Sequence, residues 1–371
     1  MNRRQMIVLM AATGVAACND RFHAPILPQA EQIGTIQPVF IATQRKPAPD
    51  SEWFTGDRSE QTHYLSLDVS IPPAHKKGAI EYGFANPDPE KTFAIAARRD
   101  IAGREAFRAT LRQAIRQAPP DRREIVLYIH GYNNSFFDGV FRTAQIMQDF
   151  DVPAMAVHYS WPSAAHPLGY TYDRDSVLFS RDGLEQLLYD LRSTGPRRIV
   201  VMAHSLGTML LMETLRQIEI AKPGWSKEAL SGVVLISPDL DVEVFRMQAK
   251  RISALPQPFA IFTSSRDKAL ALSARINGAA ARLGNLTNPT ALGDFPVTIV
   301  DVSQFTPNSS NSHFTVGTSP ALISLLTNSR TLDVAFQSDR AGRSGLLPGT
   351  VLTVRNATQM ILSPDLLLQK M

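Results

Sequence analysis

Three residue types that nucleophilic acyl chemistry uses, a serine, a histidine and an aspartate, each stand just beyond a predicted strand of this chain. Ser205 stands in Ala203-His204-Ser205-Leu206-Gly207, directly after the β-favouring run Ile199-Val200-Val201-Met202. Leu206, Leu210, Leu211, Leu215 and Ile218 then recur at helical spacing. A strand that becomes a helix within two residues makes a sharp elbow, and the residue at its tip is driven towards a strained backbone conformation. Small residues are needed two before and two after the tip, where strand and helix crowd each other. Ala203 and Gly207 meet that need, with one methyl where the strict Gly-x-Ser-x-Gly pattern has none. A serine hydroxyl is a poor nucleophile near neutral pH and needs a base to take its proton. Downstream of Ser205 the chain has one histidine, His313, in the polar stretch Asn308-Ser309-Ser310-Asn311-Ser312 just after the last predicted central strand. Asp267 follows the preceding strand, where a carboxylate can hold the imidazole's tautomer and stabilise its cation. Asp239 is the alternative acid, one strand earlier beside Asp241; helix capping is the competing explanation for each of these aspartates.

A carbonyl under attack develops negative charge that backbone N–H groups must hold. The strand at 124–129 runs into His130-Gly131-Tyr132-Asn133-Asn134, a turn that aims the Tyr132 N–H at such an oxygen. Leu206 supplies the second N–H, because it opens a helix whose first donors have no partner in that helix. Trp161, Tyr170 and Tyr172 follow another strand end and are expected to wall the pocket.

These residues need a scaffold that brings several strand ends together. Extended runs at 39–43, 64–71 and 93–96 have no helix between them and predict an antiparallel start, with 56–61 as a polar loop. From Gly103 onward helices and apolar strands alternate. Helices are expected over 107–115, 141–150, 174–191, 206–218, 242–252 and 268–283, with strands at 124–129, 155–159, 199–203, 232–236, 259–263 and 297–302. That alternation predicts a mostly parallel, doubly wound α/β sheet. The segment 329–371 reads as an exposed excursion closed by a hairpin of 350–354 and 360–362.

The chain has 371 residues, 44% of them hydrophobic and 19% charged, as a globular protein with a large core requires. Its net charge of +4, from 38 basic and 34 acidic residues, is too dispersed for a nucleic-acid footprint. No His-Glu-x-x-His, Cys-x-x-Cys, phosphate loop or Gly-x-Gly-x-x-Gly occurs in the sequence, so no metal or other cofactor is expected. Arg3-Arg4, the apolar run Met6–Ala12 and Val15-Ala16-Ala17-Cys18 resemble a bacterial lipoprotein signal over 1–17, with lipid on Cys18. Cys18 is the chain's single cysteine, so it serves no intramolecular disulfide. Residues 18–35 then read as a tether and 36–328 as the main domain. Asn19, standing where an aspartate would favour the inner membrane, implies by the same resemblance an outer-membrane protein facing the periplasm.

Together, His130-Gly131-Tyr132-Asn133-Asn134, Ser160-Trp161-Pro162-Ser163, Ala203-His204-Ser205-Leu206-Gly207, Pro238-Asp239-Leu240-Asp241 and Ser265-Arg266-Asp267-Lys268 resemble a family of bacterial α/β-hydrolases, esterase- or lipase-like and of uncharacterised substrate. The resemblance spans roughly 36–325 and implies the α/β-hydrolase fold with Ser205, Asp267 and His313 as a triad. The expectation is an envelope serine hydrolase acting on a small or lipid-like acyl ester. An acyltransferase or amidase with the same triad, and a non-catalytic scaffold, are the alternatives.

Overall fold

The computed structural model describes residues 21, 23–276, 278, 282–306, 312–327, 351–354 and 357–362. Cys18 with the signal before it, the polar stretch 307–311 and the excursion at 329–350 lie outside the described residues.

β1 (Thr35–Pro47), β2 (Phe54–Ile71) and β3 (Ala94–Ile101) form an antiparallel meander. Then α1 (Gly103–Gln117), β4 (Ile125–Ile129), α2 (Phe136–Asp149), β5 (Met155–Ser160), α3 (Tyr170–Phe179), α4 (Arg181–Ser193), β6 (Ile199–His204) and α5 (Leu206–Ala221) follow. After them come α6 (Trp225–Ala229), β7 (Gly232–Ile236), α7 (Val242–Arg251), β8 (Phe259–Thr263), α8 (Lys268–Ile276) and β9 (Thr298–Asp301). The short α9 (Thr315–Thr318), α10 (Pro320–Thr327) and the hairpin β10 (Val351–Val354) and β11 (Ala357–Ile361) close the chain. All the described strands share one sheet, ordered β10-β11-β9-β8-β7-β6-β4-β5-β1-β2-β3. From β1 to β11 through the centre every neighbouring pair is parallel, so this is the mostly parallel α/β-hydrolase sheet with an antiparallel N-terminal edge. No described helix is long and apolar enough to cross a membrane.

Parallel central strands are apolar on both faces because helices cover both. In β4, Ile125, Leu127 and Ile129 pack with Leu210, Leu211 and Leu215 of α5, while Val126 turns to Phe136, Phe137 and Phe141 of α2. Each such fully buried side chain stabilises by about 1.5–3 kcal/mol, which fixes the strand ends that carry the site.

The structure departs from the sequence expectations in ways that have local causes. The helix expected over 174–191 is two helices meeting at Ser180, whose carbonyl accepts a hydrogen bond from buried Tyr159 Oη at 2.9 Å. α2 starts five residues earlier than expected because Ser135 and Asp138 form a reciprocal capping box. Residues 56–61 are strand, not loop: β2 continues through them, and its register against β1 shifts around Arg45. The tether reading of 18–35 is corrected for residues 23–34. Ala24 and Ala30 are buried there, and Leu27 N–H donates to Ile95 O at 2.8 Å, so this stretch packs on the edge strand. β11 lies parallel to β9, so the C-terminal hairpin extends the same sheet.

Candidate active site

Ser205 follows the last residue of β6, in the middle of the sheet between β4 and β7. Its φ of 52° and ψ of −125° are a conformation that a side chain adopts at a cost of about 1–3 kcal/mol. Tertiary bonds hold it there. Ser205 N–H donates to Ile236 O at 3.0 Å, and its carbonyl accepts from Thr208 Oγ1 at 2.6 Å and Asp239 N at 3.3 Å. The crowding inferred from the elbow motif is real: a Cβ on Gly207 would stand 2.3 Å from His130 O. Ala203, by contrast, sits fully buried within β6 with its methyl accommodated.

The downstream residues converge on this serine. His313 lies in the turn Ser312–Phe314, and its Nε2 is 2.7 Å from Ser205 Oγ, the hydroxyl donating to the ring. On the other side of the ring, Nδ1–H donates to Asp267 Oδ2 at 2.8 Å. Asp267 is fully buried and divides its oxygens between two tasks. Oδ1 caps α8 by accepting from Ala269 N and Leu270 N at 3.0 and 3.1 Å, while Oδ2 takes the imidazole. Helix capping and imidazole orientation, competing explanations in the sequence, are therefore both met by one carboxylate. An anionic group at a helix N-terminus is favoured by the free donors there.

His204 was not among the residues singled out. It is buried, its Nε2–H donates to the His313 carbonyl at 3.2 Å, and its ring lies 4.9 Å from that of His313. Burial, with the neighbouring imidazole as a lesser cause, drives its pKa well below the ordinary value, so it stays neutral. It fixes the backbone of His313 without adding charge beside it. The sequence signal was the variable position preceding the serine, which the elbow motif leaves blank.

The His130–Asn134 turn passes directly over the nucleophile. A Cβ on Gly131 would be 2.7 Å from Ser205 Cβ, so only glycine lets the chain pass that close to the serine. Leu206, the residue after Ser205, opens α5. The turn is held from behind by buried polar groups. Arg45, fully buried, donates to Asn134 O at 2.7 Å, Ser163 O at 2.9 Å and Ser160 Oγ at 3.0 Å. Burial lowers its pKa to about 10, offset in part by Asp173 and Asp138, and it remains a cation. Asp173 accepts from Asn133 N at 3.1 Å, Ser163 Oγ at 2.6 Å and Ala164 N at 2.7 Å. Arg21 clamps the turn from the N-terminal side, donating to Asn133 O at 3.0 Å and Asp138 Oδ2 at 2.5 Å. Neither arginine was anticipated; a single basic residue carries no sequence signal of what it will meet.

A cavity of about 120 Å³ opens beside Ser205 and His313, walled by Tyr132, Tyr170, Leu270, Leu272 and Ile276. Asp239 also lines it but does not reach His313. Its carboxylate accepts from Tyr170 Oη at 2.9 Å and Ser273 Oγ at 2.6 Å, and Arg282 Nε lies 3.3 Å away. Asp239 therefore loses to Asp267 as the imidazole's partner. Two further expectations are corrected. Trp161 is not a pocket wall: it is fully buried, stacked on His130 at 4.7 Å, with Nε1–H donating to His130 O at 2.8 Å. Tyr172 faces a separate cavity, held by Gly56 O at 3.1 Å and by the Arg58 guanidinium 4.3 Å from its ring centre. Helix geometry explains the latter: two residues on from Tyr170, a side chain points to another face. Among the described residues no cluster of three or more histidine, cysteine or acidic side chains is arranged to hold a metal ion.

Residues 104–330 match the family described as an alpha/beta hydrolase of unknown function (DUF900). No curated protein matches the chain. Among solved structures, Aspergillus fumigatus lipase B aligns over 62% of this chain and 58% of its own, at 11% identity and a TM-score of 0.37. An arylesterase aligns over 82% and 84%, at 11% identity and 0.33. The Pyrobaculum calidifontis esterase aligns over 90% and 92%, also at 11% identity and 0.33. This chain thus spans little more than half the length of the lipase and most of the two esterases.

Proposed function

The chain belongs to the DUF900 family of α/β-hydrolases, and from that premise we propose that it is a serine hydrolase of carboxylic esters, anchored in the cell envelope by lipid on Cys18. One observation carries the chemistry: the unbroken hydrogen-bond chain from Ser205 Oγ through His313 to buried Asp267. In this reading Ser205 Oγ attacks the ester carbonyl while His313 Nε2 takes its proton. Asp267 keeps the Nδ1 proton in place and balances the cation that forms, without itself being protonated. The N–H groups of Tyr132 and Leu206 hold the oxyanion, each such donor being worth roughly 10²–10³ in rate. The intermediate collapses to an acyl-serine, and Nε2 returns its proton to the departing alkoxide. Water then enters, gives a proton to Nε2 and attacks the acyl carbonyl; collapse frees the acid as Ser205 recovers the proton.

The small, largely apolar cavity supports an acyl or alkyl group lying against Leu270, Leu272 and Ile276. The envelope location rests on the sequence at 1–18. A fluorophosphonate reagent should label the protein and fail to label Ser205→Ala, with p-nitrophenyl ester turnover lost in parallel. Equal labelling of both proteins would remove Ser205 from the mechanism.

A further inference from the structure

Beside the cavity mouth the described surface is apolar. Leu272 and Ile276 of α8, which line the cavity, are 58% and 61% exposed, and Leu168, next to the lining residue Pro167 but outside the cavity itself, is 87% exposed. Leu272 and Ile276 are four residues apart and share one helix face, with exposed Arg275 between them and exposed Arg266 ahead of the helix. Leu168 belongs to the loop that Tyr132 Oη ties to the pocket by bonding Pro167 O. Apolar side chains edged by arginine are what a helix lying in an anionic lipid interface presents.

The N-terminal chain says what this rim faces. Arg21 is clamped on the oxyanion turn, and its Nη1 also donates to Ala165 O at 3.2 Å, three residues before Leu168. Cys18 is three residues before Arg21, so an extended chain lets it stray no more than about 11 Å from that residue. A lipid on Cys18 therefore enters its membrane next to the pocket mouth, whereas the amino edge of the sheet lies on the far side. We propose that the rim of Leu168, Leu272 and Ile276 rests on the bilayer that holds Cys18, and that the substrate is an amphiphilic acyl ester drawn from that surface. The inference rests on the ester-hydrolase and lipid-anchor readings above and gives them an orientation and a substrate class.

The test uses the full lipid-modified chain in vesicles of phosphatidylethanolamine with a minor share of phosphatidylglycerol, brominated near the headgroup. A thiol-reactive fluorophore is placed at Leu168→Cys and, as a control, at Glu228→Cys, which is exposed just before the amino end of β7. Bromine should quench the first and spare the second. Equal quenching, or none at position 168, overturns the orientation, as does dimerisation that shields position 168 without vesicles. Wild-type protein should take no fluorophore, because acylation consumes its single cysteine; labelling at Cys18 overturns the anchor and the inference with it. Quenching needs no turnover, so it stands apart from the ester reading. For substrate class, Leu168→Glu should slow hydrolysis of a vesicle-borne ester about tenfold, the scale of withdrawing one leucine from lipid, and leave a soluble short-chain ester unchanged. Equal loss on both esters would make the rim part of the pocket rather than a membrane contact.

Discussion

Two histidine–aspartate pairs in this molecule have nearly the same geometry and opposite characters. His313 donates from Nδ1 to buried Asp267 at 2.8 Å, and the partner of its second nitrogen is a hydroxyl, Ser205 Oγ at 2.7 Å. His75 bonds buried Asp149 through Nε2 at 2.9 Å, and its second nitrogen meets another carboxylate, Glu81, at 3.0 Å. A ring that meets a carboxylate at each nitrogen satisfies both only by donating from both, which favours the cation and leaves no lone pair to offer. A ring that donates to one carboxylate and faces a hydroxyl with its other nitrogen keeps a lone pair that can take the hydroxyl's proton. Under the proposed mechanism, the identity of the second partner, more than the pairing itself, separates a base from a brace. The two regions are also joined: Asp149 accepts from Gln145 Nε2 at 2.5 Å, and Gln145 donates to Gly317 O at 3.1 Å, in the helix that follows His313.

The comparison breaks most completely at Asp267. Asp267→Asn can still accept from the α8 backbone, so the fold should persist, but its amide cannot hold the reactive tautomer of His313. We expect kcat on a soluble ester to fall about 10⁴-fold with KM little changed. A loss of less than about tenfold would hand the acid's role elsewhere, and Asp239→Asn in the same assay would show whether that group takes it. A smaller effect is expected at His204, which bonds the carbonyl of His313 but touches no reacting atom. His204→Phe should lower kcat about 10²-fold, the cost of a misplacement of roughly 1 Å, with the pH profile unmoved. His204→Gln, which keeps a donor, should recover part of that loss. No rescue would make His204 a packing residue alone.

These sites differ in how far they could be read from sequence. Ser205 and His313 were legible because a strand-to-helix elbow constrains its neighbours locally and because no second histidine follows the serine. The parallel sheet was legible for a similar reason, since β4 and β7 are continuous apolar runs between helices. Asp267 was ambiguous: an aspartate ahead of a helix caps it in most settings, and here it caps and orients at once. Arg45, His204 and Arg21 act through contacts 89 to 144 residues away in sequence, and nothing in their immediate neighbours records that. Trp161 and Tyr172 were misplaced because a strand end fixes where a loop begins, not which way its side chains turn. Ser135 and Asp138 did carry a local signal, the reciprocal cap, and it set the start of α2.

The smallest effect, and the one that sharpens the comparison, is the pH dependence of the brace. Burial alone would lower the His75 pKa, but its bonds to Asp149 and Glu81 outweigh that and raise it above the ordinary 6.5. Burial likewise opposes ionisation of Asp149, yet bonds from His75, Gln145 and Gly78 pull its pKa below 3.8. A raised imidazole stabilises the fold fully below 6.5 and loses that contribution as pH rises through the folded value; a depressed carboxylate stabilises above 3.8 and fades as pH falls through its folded value. The pair therefore contributes most between those limits. His75→Gln should cost about 1.5–3 kcal/mol in urea unfolding near the middle of that window, the range for hydrogen bonds to charged groups. The penalty should shrink as pH rises through the raised folded value, where the wild-type ring loses its proton. A penalty that is flat with pH would mean His75 is neutral between its two carboxylates, and the distinction drawn from the second partner would fail at its clearest example.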